Sequence, residues 1–284
     1  MIDPSFLDEL HRLTLVVNRN VYSKYSGEHK SLSSGSGTLF KEHRIYTPGD
    51  NFKAIDWRVY ARTDDLYVKQ FEEERNLNVH ILTDVSKSMD LDKKFDFAGK
   101  VALSFGFLAM KNNERVQFST FANDLEILKG SKGHKQITSM LDAFNKIKPK
   151  GKSQLYQSVH RYKKLIHSKS YVVIISDFLF DLKILENTLH LLGRDHTIKL
   201  VQILDPVEKN MDLEGDFKLI DSESDFELRT YISKRAQQQY VEKLDKHVQE
   251  IQNIANKFPG TKFYQFTTDR KMFDVLFSIT NDRF

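Results

Sequence analysis

The chain has 284 residues, 40% hydrophobic and 29% charged, with 21 Phe and 11 Tyr, a composition that excludes both a disordered tail and a fibrous repeat. Lys and Arg number 43 against 39 Asp and Glu, and this net +4 is spread without a basic block, which is weak support for a nucleic-acid partner. Cysteine is absent, which removes disulfide frameworks, thiol nucleophiles and thiolate zinc sites from consideration.

A chain of this length can bury roughly three quarters of its unfolded surface. The start, Met1-Ile2-Asp3-Pro4-Ser5, lacks the basic and apolar stretches of a signal peptide, and no apolar run approaches the ~20 residues of a membrane span. The expectation is a cytoplasmic protein with no membrane span.

Asp3-Pro4 followed by Phe6, Leu7, Leu10, Leu13 and Val16 predicts a capped amphipathic helix. From Ser23 to Gly37 the composition turns to Ser, Gly and His and predicts loop and tight-turn backbone. Pro48-Gly49-Asp50-Asn51 predicts a turn, because Pro presets φ at the second position and Gly accepts the positive φ after it. Strands are predicted at Leu66 to Phe71 and Leu77 to Leu82.

Beyond them strand and helix alternate. A helix from about Phe95 to Met110 precedes the strand Val116 to Phe121, and helices follow near Gln136 to Ile147 and Tyr156 to Ile166. Tyr171-Val172-Val173-Ile174-Ile175 is a continuous apolar run, as in a strand covered on both faces by helices. A helix at Leu182 to Leu192, a strand at Thr197 to Leu204, a hairpin of Phe217 to Ile220 with Phe226 to Tyr231, a helix from about Ser233 to Phe258, a strand at Lys262 to Phe266 and a last helix complete the chain. Such alternation implies an α/β fold with a mostly parallel sheet, whose ligands bind beyond the carboxyl ends of the strands.

Three segments reach that edge: Asp84-Val85-Ser86-Lys87-Ser88, Lys150-Gly151-Lys152-Ser153 before a helix, and Asp177 after the apolar run. Hydroxyl and carboxylate oxygens are hard ligands suited to Mg²⁺ or Mn²⁺. The bland alternative is that Asp84 and Ser86 cap one helix, Ser153 caps another and Asp177 merely ends a strand. A third possibility is a metal-dependent hydrolase or nuclease using Asp84 and Asp177. The ten His show no H-E-x-x-H pattern, Gly35-Ser36-Gly37 has no third Gly or Lys for a phosphate loop, and no G-x-S-x-G is present. His29, His43 and His80 are bases in principle only.

Gly49-Asp50, Ile55-Asp56-Trp57, Ala61-Arg62, Val68-Lys69, Phe71-Glu72 and Glu74, followed by Asp84-x-Ser86-x-Ser88-Met89, carry a family resemblance, to which Ser26-Gly27-Glu28-His29 and Phe40-x-x-x-Arg44-x-Tyr46 add. The chain resembles the bacterial domain-of-unknown-function proteins encoded beside MoxR-type AAA+ ATPases, from about residue 5 to 206, ending at Asp205-Pro206-x-Glu208. The resemblance implies a von Willebrand A-like (Rossmann-like) three-layer sandwich with an N-terminal extension. It also implies a metal-ion-dependent adhesion site whose first motif is Asp84, Ser86 and Ser88. Ser153 stands where such domains usually carry Thr, Asp177 matches the last acidic position, and Asn51 replaces the second Asp usual after Gly49-Asp50.

The expected division is 1–75, a first helix and family-specific segment packing on the sheet; 76–206, the von Willebrand A-like core; and 207–284, a hairpin and helices continuous with it. Trp57, Tyr60 and Phe71 are expected in the core or at a docking surface, and Asp50, Asp56, Arg58 and Arg62 in an ion-pair network tying their segment to the sheet. The expected function is non-enzymatic: Ser86, Ser88 and Ser153 hold Mg²⁺ (or Mn²⁺), Asp84 and Asp177 act directly or through water, and a partner's carboxylate fills the open position. The partner that the resemblance implies is a MoxR-type AAA+ ATPase or its client.

Overall fold

The computed structural model describes residues 1–13, 34–72, 78–129, 135–166, 168–193, 196–211, 213, 215–220 and 227–281. The chain divides into two compact units, Met1–Val21 with Leu77–Phe284, and Tyr22–Asn76. The first helix, α1 (residues 5–13), expected with residues 1–75, belongs to the larger unit. It buries Phe6 and Leu10, four residues apart as the apolar pattern predicts, and Ile2 just ahead of it is buried too. Val16 lies outside the described residues.

The smaller unit pairs strand β1 (Ser34–Ile45) antiparallel with β2 (Tyr67–Glu72). Residues 34–37, expected as loop, are therefore strand, while 23–33 lie outside the described residues. The reason is the partner strand: Ser34 and Gly35 register with Glu72 and Phe71 ahead of a register shift before Phe40, and Gly is tolerated beside such irregularities. Gly49 takes φ 109° in the expected turn. Helix α2 (Trp57–Thr63) is capped by Asp56, whose side chain accepts from the Arg58 N–H, and ends at Asp64 in the left-handed region.

The larger unit is built on a six-stranded sheet of β3 (Asn78–Asp84), β4 (Arg115–Phe121), β5 (Leu125–Ile127), β6 (Ser170–Ser176), β7 (Thr197–Leu204) and β10 (Thr261–Thr267). Between β7 and β10 comes the hairpin β8 (Gly215–Ile220) and β9 (Glu227–Ile232), a separate two-stranded sheet. The helices are α3 (Lys94–Lys111), α4 (Lys135–Lys146), α5 (Leu155–Tyr162), α6 (Leu182–Leu192), α7 (Pro206–Asn210), α8 (Lys234–Lys257) and α9 (Met272–Asn281).

The sheet order is β10-β7-β6-β3-β4-β5, parallel except where the short edge strand β5 runs against β4. Counted along this sheet, that is the doubly-wound order 3-2-1-4-5-6, whose direction of winding reverses between β3 and β6. All seven residues of β6 are buried: Val173 and Ile175 join one apolar cluster with α1, α3, α4 and α9, and Val172 and Ile174 the other with α5, α6 and α8. The fold is thus the mostly parallel α/β sandwich, helices on both faces, that the von Willebrand A-like resemblance implies. Among the described residues no helix is long and apolar enough to cross a membrane.

Candidate functional site

Asp84 is the last residue of β3, the strand beside the reversal, so the sheet itself delivers a carboxylate to the crevice where doubly-wound folds bind ligands. Two loops then close around it. Lys87 N–H donates to the Gly151 carbonyl at 2.9 Å and Lys150 N–H to the Val85 carbonyl at 2.8 Å, clamping the segment after β3 to the segment before α5. Gly151 takes φ 78°, and a Cβ there would lie 2.6 Å from Asn123, whose side chain accepts from the Lys152 N–H. This glycine lets the chain turn so that Ser153 faces Asp84.

The Asp84 carboxylate is fully buried and accepts three hydrogen bonds. Its Oδ1 accepts from the Ser86 N–H at 2.8 Å, and its Oδ2 accepts from the Ser153 and Ser176 hydroxyls, each at 2.7 Å. Ser86 Oγ lies 3.1 Å from Ser88 Oγ. Burial and the negative charge of Asp177 push the Asp84 carboxyl up to about 6, against the hydrogen bonds from Ser86, Ser153 and Ser176.

Asp177 is 2% exposed and its backbone is held firmly. Its carbonyl accepts from Gln202 Nε2 at 2.8 Å, and the next residue, Phe178, takes φ 51° with its N–H on Ser176 Oγ and its carbonyl bonded by His247 Nε2 at 2.7 Å. A bulky residue held at positive φ stores strain, which surrounding structure must fix in place. Lys94 Nζ donates to Asp177 Oδ2 at 2.9 Å and to Glu208 Oε1 at 2.8 Å. Burial works against the ammonium, but the carboxylates of Asp177 and Glu208 outweigh it and hold Lys94 above its ordinary range.

The structure thus joins Asp84, Ser86, Ser88 and Ser153 through hydrogen bonds, and Asp177 through its charge on Asp84 and through neighbouring Ser176. Ser176, Lys94 and Glu208 also belong to the cluster and were not singled out from the sequence. Glu208 stands in the Asp205-Pro206-x-Glu208 run, and Ser176 directly before Asp177, so both had a positional signal; Lys94, one lysine in a Lys93-Lys94 pair, had none.

The donor set fits a hard divalent cation. Three hydroxyls and two carboxylates supply oxygen alone, and three acidic side chains against one ammonium leave two negative charges in a largely buried cluster. Among the described residues no three His, Cys, Asp or Glu side chains form a metal-holding group, so a cation here depends on the serine hydroxyls.

The family-motif residues of the smaller unit pair differently from expectation. Asp50 bonds Arg44 at 2.6 Å, and Asp56 bonds His43 at 2.9 Å and Lys69 at 3.4 Å, so the expected partners Arg58 and Arg62 are replaced by side chains of the β1–β2 ribbon. The ribbon brings those side chains closer than α2 can. His43 first, with Lys69 also contributing, holds Asp56 down to about 2, burial opposing. Arg62 Nε donates to the Arg58 carbonyl. Trp57 is 58% exposed and Tyr60 38%, edge to face at 6.1 Å, so neither is a core residue. Of the three histidines considered, His29 lies outside the described residues, His43 pairs with Asp56, and His80 is buried on Tyr162.

Residues 42–250 match the family described as Protein of unknown function DUF58. An uncharacterized protein of Mycobacterium tuberculosis and one of Mycobacterium bovis are each 28% identical over 231 residues, 78% of this chain and 72% of theirs. The uncharacterized protein YeaD of Bacillus subtilis is 29% identical over 115 residues, 38% of this chain and 28% of its own. Among solved structures, the conserved hypothetical protein BatB from Bacteroides thetaiotaomicron is 10% identical, covering 72% of this chain and 98% of its own at a TM-score of 0.42. A von Willebrand factor type A structure from Catenulispora acidiphila is 13% identical, covering 49% and 35% at 0.35. These are likenesses of α/β outline; the chemistry of the site rests on the side chains of this chain.

Proposed function

The chain belongs to the DUF58 family, and from its geometry we propose that it is a non-enzymatic protein-binding module, capturing an acidic residue of a partner at a metal-ion-dependent adhesion site. One observation carries the reading: a buried carboxylate at the winding reversal, Asp84, gathers the hydroxyls of Ser153 and Ser176 and the Ser86 N–H about itself. Ser86, Ser88 and Ser153 would hold Mg²⁺ or Mn²⁺, with Asp84 and Asp177 acting directly or through water. When bound, such an ion supplies an electrophilic position for a carboxylate.

The chain's own residues prepare that position. By accepting hydrogen bonds from the Ser153 and Ser176 hydroxyls, Asp84 leaves their lone pairs to point away from itself. The Gly151 turn and the clamp between residues 85–87 and 150–151 hold Ser153 and Ser86 in register. Hydrolysis by Asp84 and Asp177 fits less well, because Asp84 is occupied by three donors and Asp177 by Lys94, leaving neither carboxylate placed as a base.

The family resemblance favours a MoxR-type AAA+ ATPase or one of its clients as partner, with this chain an adaptor in protein assembly or maturation. The exposed Trp57 and Tyr60 are proposed as a docking pair for the same partner. The test is capture of a purified MoxR-type ATPase in Mg²⁺ and in chelator. Capture should require Mg²⁺ and be lost in Asp84→Asn; equal capture in chelator would contradict the reading.

A further inference from the structure

Lys94 has no part in the mechanism above, yet it is the most constrained cation at the site. It is the first residue of α3 and fully buried, and its Nζ contacts Asp177 Oδ2 at 2.9 Å and both oxygens of Glu208 at 2.8 and 3.1 Å. An ammonium taken out of water persists only where acceptors compensate it, and here Nζ lies within hydrogen-bond distance of oxygens of two carboxylates. Glu208 is itself fixed, since its Oε2 accepts from the Asp205 N–H at 2.9 Å in the capping box of α7. Lys94 therefore cannot swing out to release Asp177 without also giving up the fixed carboxylate of Glu208.

We propose that Lys94 is a resident cationic competitor of the metal: it shares Asp177 with the divalent ion, weakens metal binding to the isolated protein and makes the loaded site receptive to an incoming carboxylate. This rests on the adhesion-site reading. The argument is one of charge. With Lys94 the cluster of Asp84, Asp177 and Glu208 carries two net negative charges, so a divalent ion brings it to neutrality and a partner's carboxylate meets no excess negative charge. Without Lys94 the same loaded cluster would keep one negative charge and repel that carboxylate. In a largely buried site such differences are poorly screened. Metal and acidic partner then bind with positive coupling, each raising the affinity of the other.

The test is Mn²⁺ titration of chelator-treated full chain in chloride and in acetate, the acetate standing for the partner's carboxylate. Lys94→Met should bind Mn²⁺ on the order of tenfold more tightly than wild type in chloride and lose the gain that wild type shows in acetate. Glu208→Gln, which keeps the acceptor but removes a negative charge, should bind Mn²⁺ several-fold more weakly. General damage to the site would weaken both variants, so the opposite signs separate charge from structure. Wild-type binding with no gain in folded Lys94→Met overturns the inference and leaves the adhesion site standing, whereas no Mn²⁺ binding by wild type or by Lys94→Met overturns both. Should Lys94→Met fail to fold, Lys94→Gln takes its place, and Mn²⁺ binding there no tighter than wild type overturns the inference.

Discussion

Strand β3 buries a titratable side chain near each end, and the two are treated in opposite ways. Near the amino end His80 sits with Nδ1 2.9 Å from the Tyr162 hydroxyl, and burial, with a smaller contribution from His196, drives its pKa down to about 4, so the ring stays neutral. At the carboxyl end Asp84 receives three hydrogen bonds and stands beside a second carboxylate and a buried ammonium. Neutralising a buried group is the inexpensive solution. Keeping charges buried and crowded at one edge stores a demand for a counter-ion, and that is why the carboxyl edge, and not the amino end, reads as the functional one.

The largest effect should come from Asp84→Ala, which removes the acceptor that organises Ser86, Ser153 and Ser176. Affinity for Mg²⁺ should fall at least about a hundredfold by titration calorimetry, as when the shell around a metal is dismantled. Affinity within a few-fold of wild type would erase the distinction between the two ends.

Acidification sharpens the comparison, because the two ends should respond with opposite sign. His80 is neutral in the folded chain down to about 4 but protonates near 6.5 when unfolded, so the stability tied to it is full above 6.5 and is lost as pH falls toward 4. The loss amounts to roughly 3 kcal/mol at most. Asp84 is raised to about 6 against 3.8, so the folded chain takes up its proton first and the same acidification adds stability there. In urea melts at pH 7 and pH 4.5, His80→Gln should lose less stability than wild type and Asp84→Asn more. Parallel losses in both variants would break the contrast.

A smaller effect is expected at Ser153. Ser153→Ala should weaken Mg²⁺ binding about tenfold, and Ser153→Thr, whose methyl restricts the rotamer, should equal or exceed wild type. The smallest is at Trp57. Because it is 58% exposed, Trp57→Ala should shift the urea midpoint by less than the equivalent of about 0.5 kcal/mol while reducing partner capture. A strongly destabilised Trp57→Ala would show that the residue supports the fold.

The sandwich was legible because its signals are local. The continuous run Tyr171 to Ile175 reported a strand covered on both faces, and the helix at Leu182 to Leu192 and strand at Thr197 to Leu204 fall at the observed bounds. The placing of Asp84, Ser86, Ser88, Ser153 and Asp177 at one edge followed from strand ends, which periodicity also reports. What escaped depends on distant partners. Lys94 looks like a solvated lysine at a helix start until Asp177 and Glu208, 83 and 114 residues away, surround it. Trp57 reads as core or docking residue by its size, but the choice is decided by neighbours that composition does not reveal, and Ser34 to Gly37 reads as loop until β2 pairs with it.

Calorimetric titration of Mg²⁺ into chelator-treated wild-type protein decides whether the carboxyl edge of this sheet binds a divalent ion. Saturable binding of about one ion per chain is expected. A folded chain that takes up no Mg²⁺ and no Mn²⁺ would contradict it.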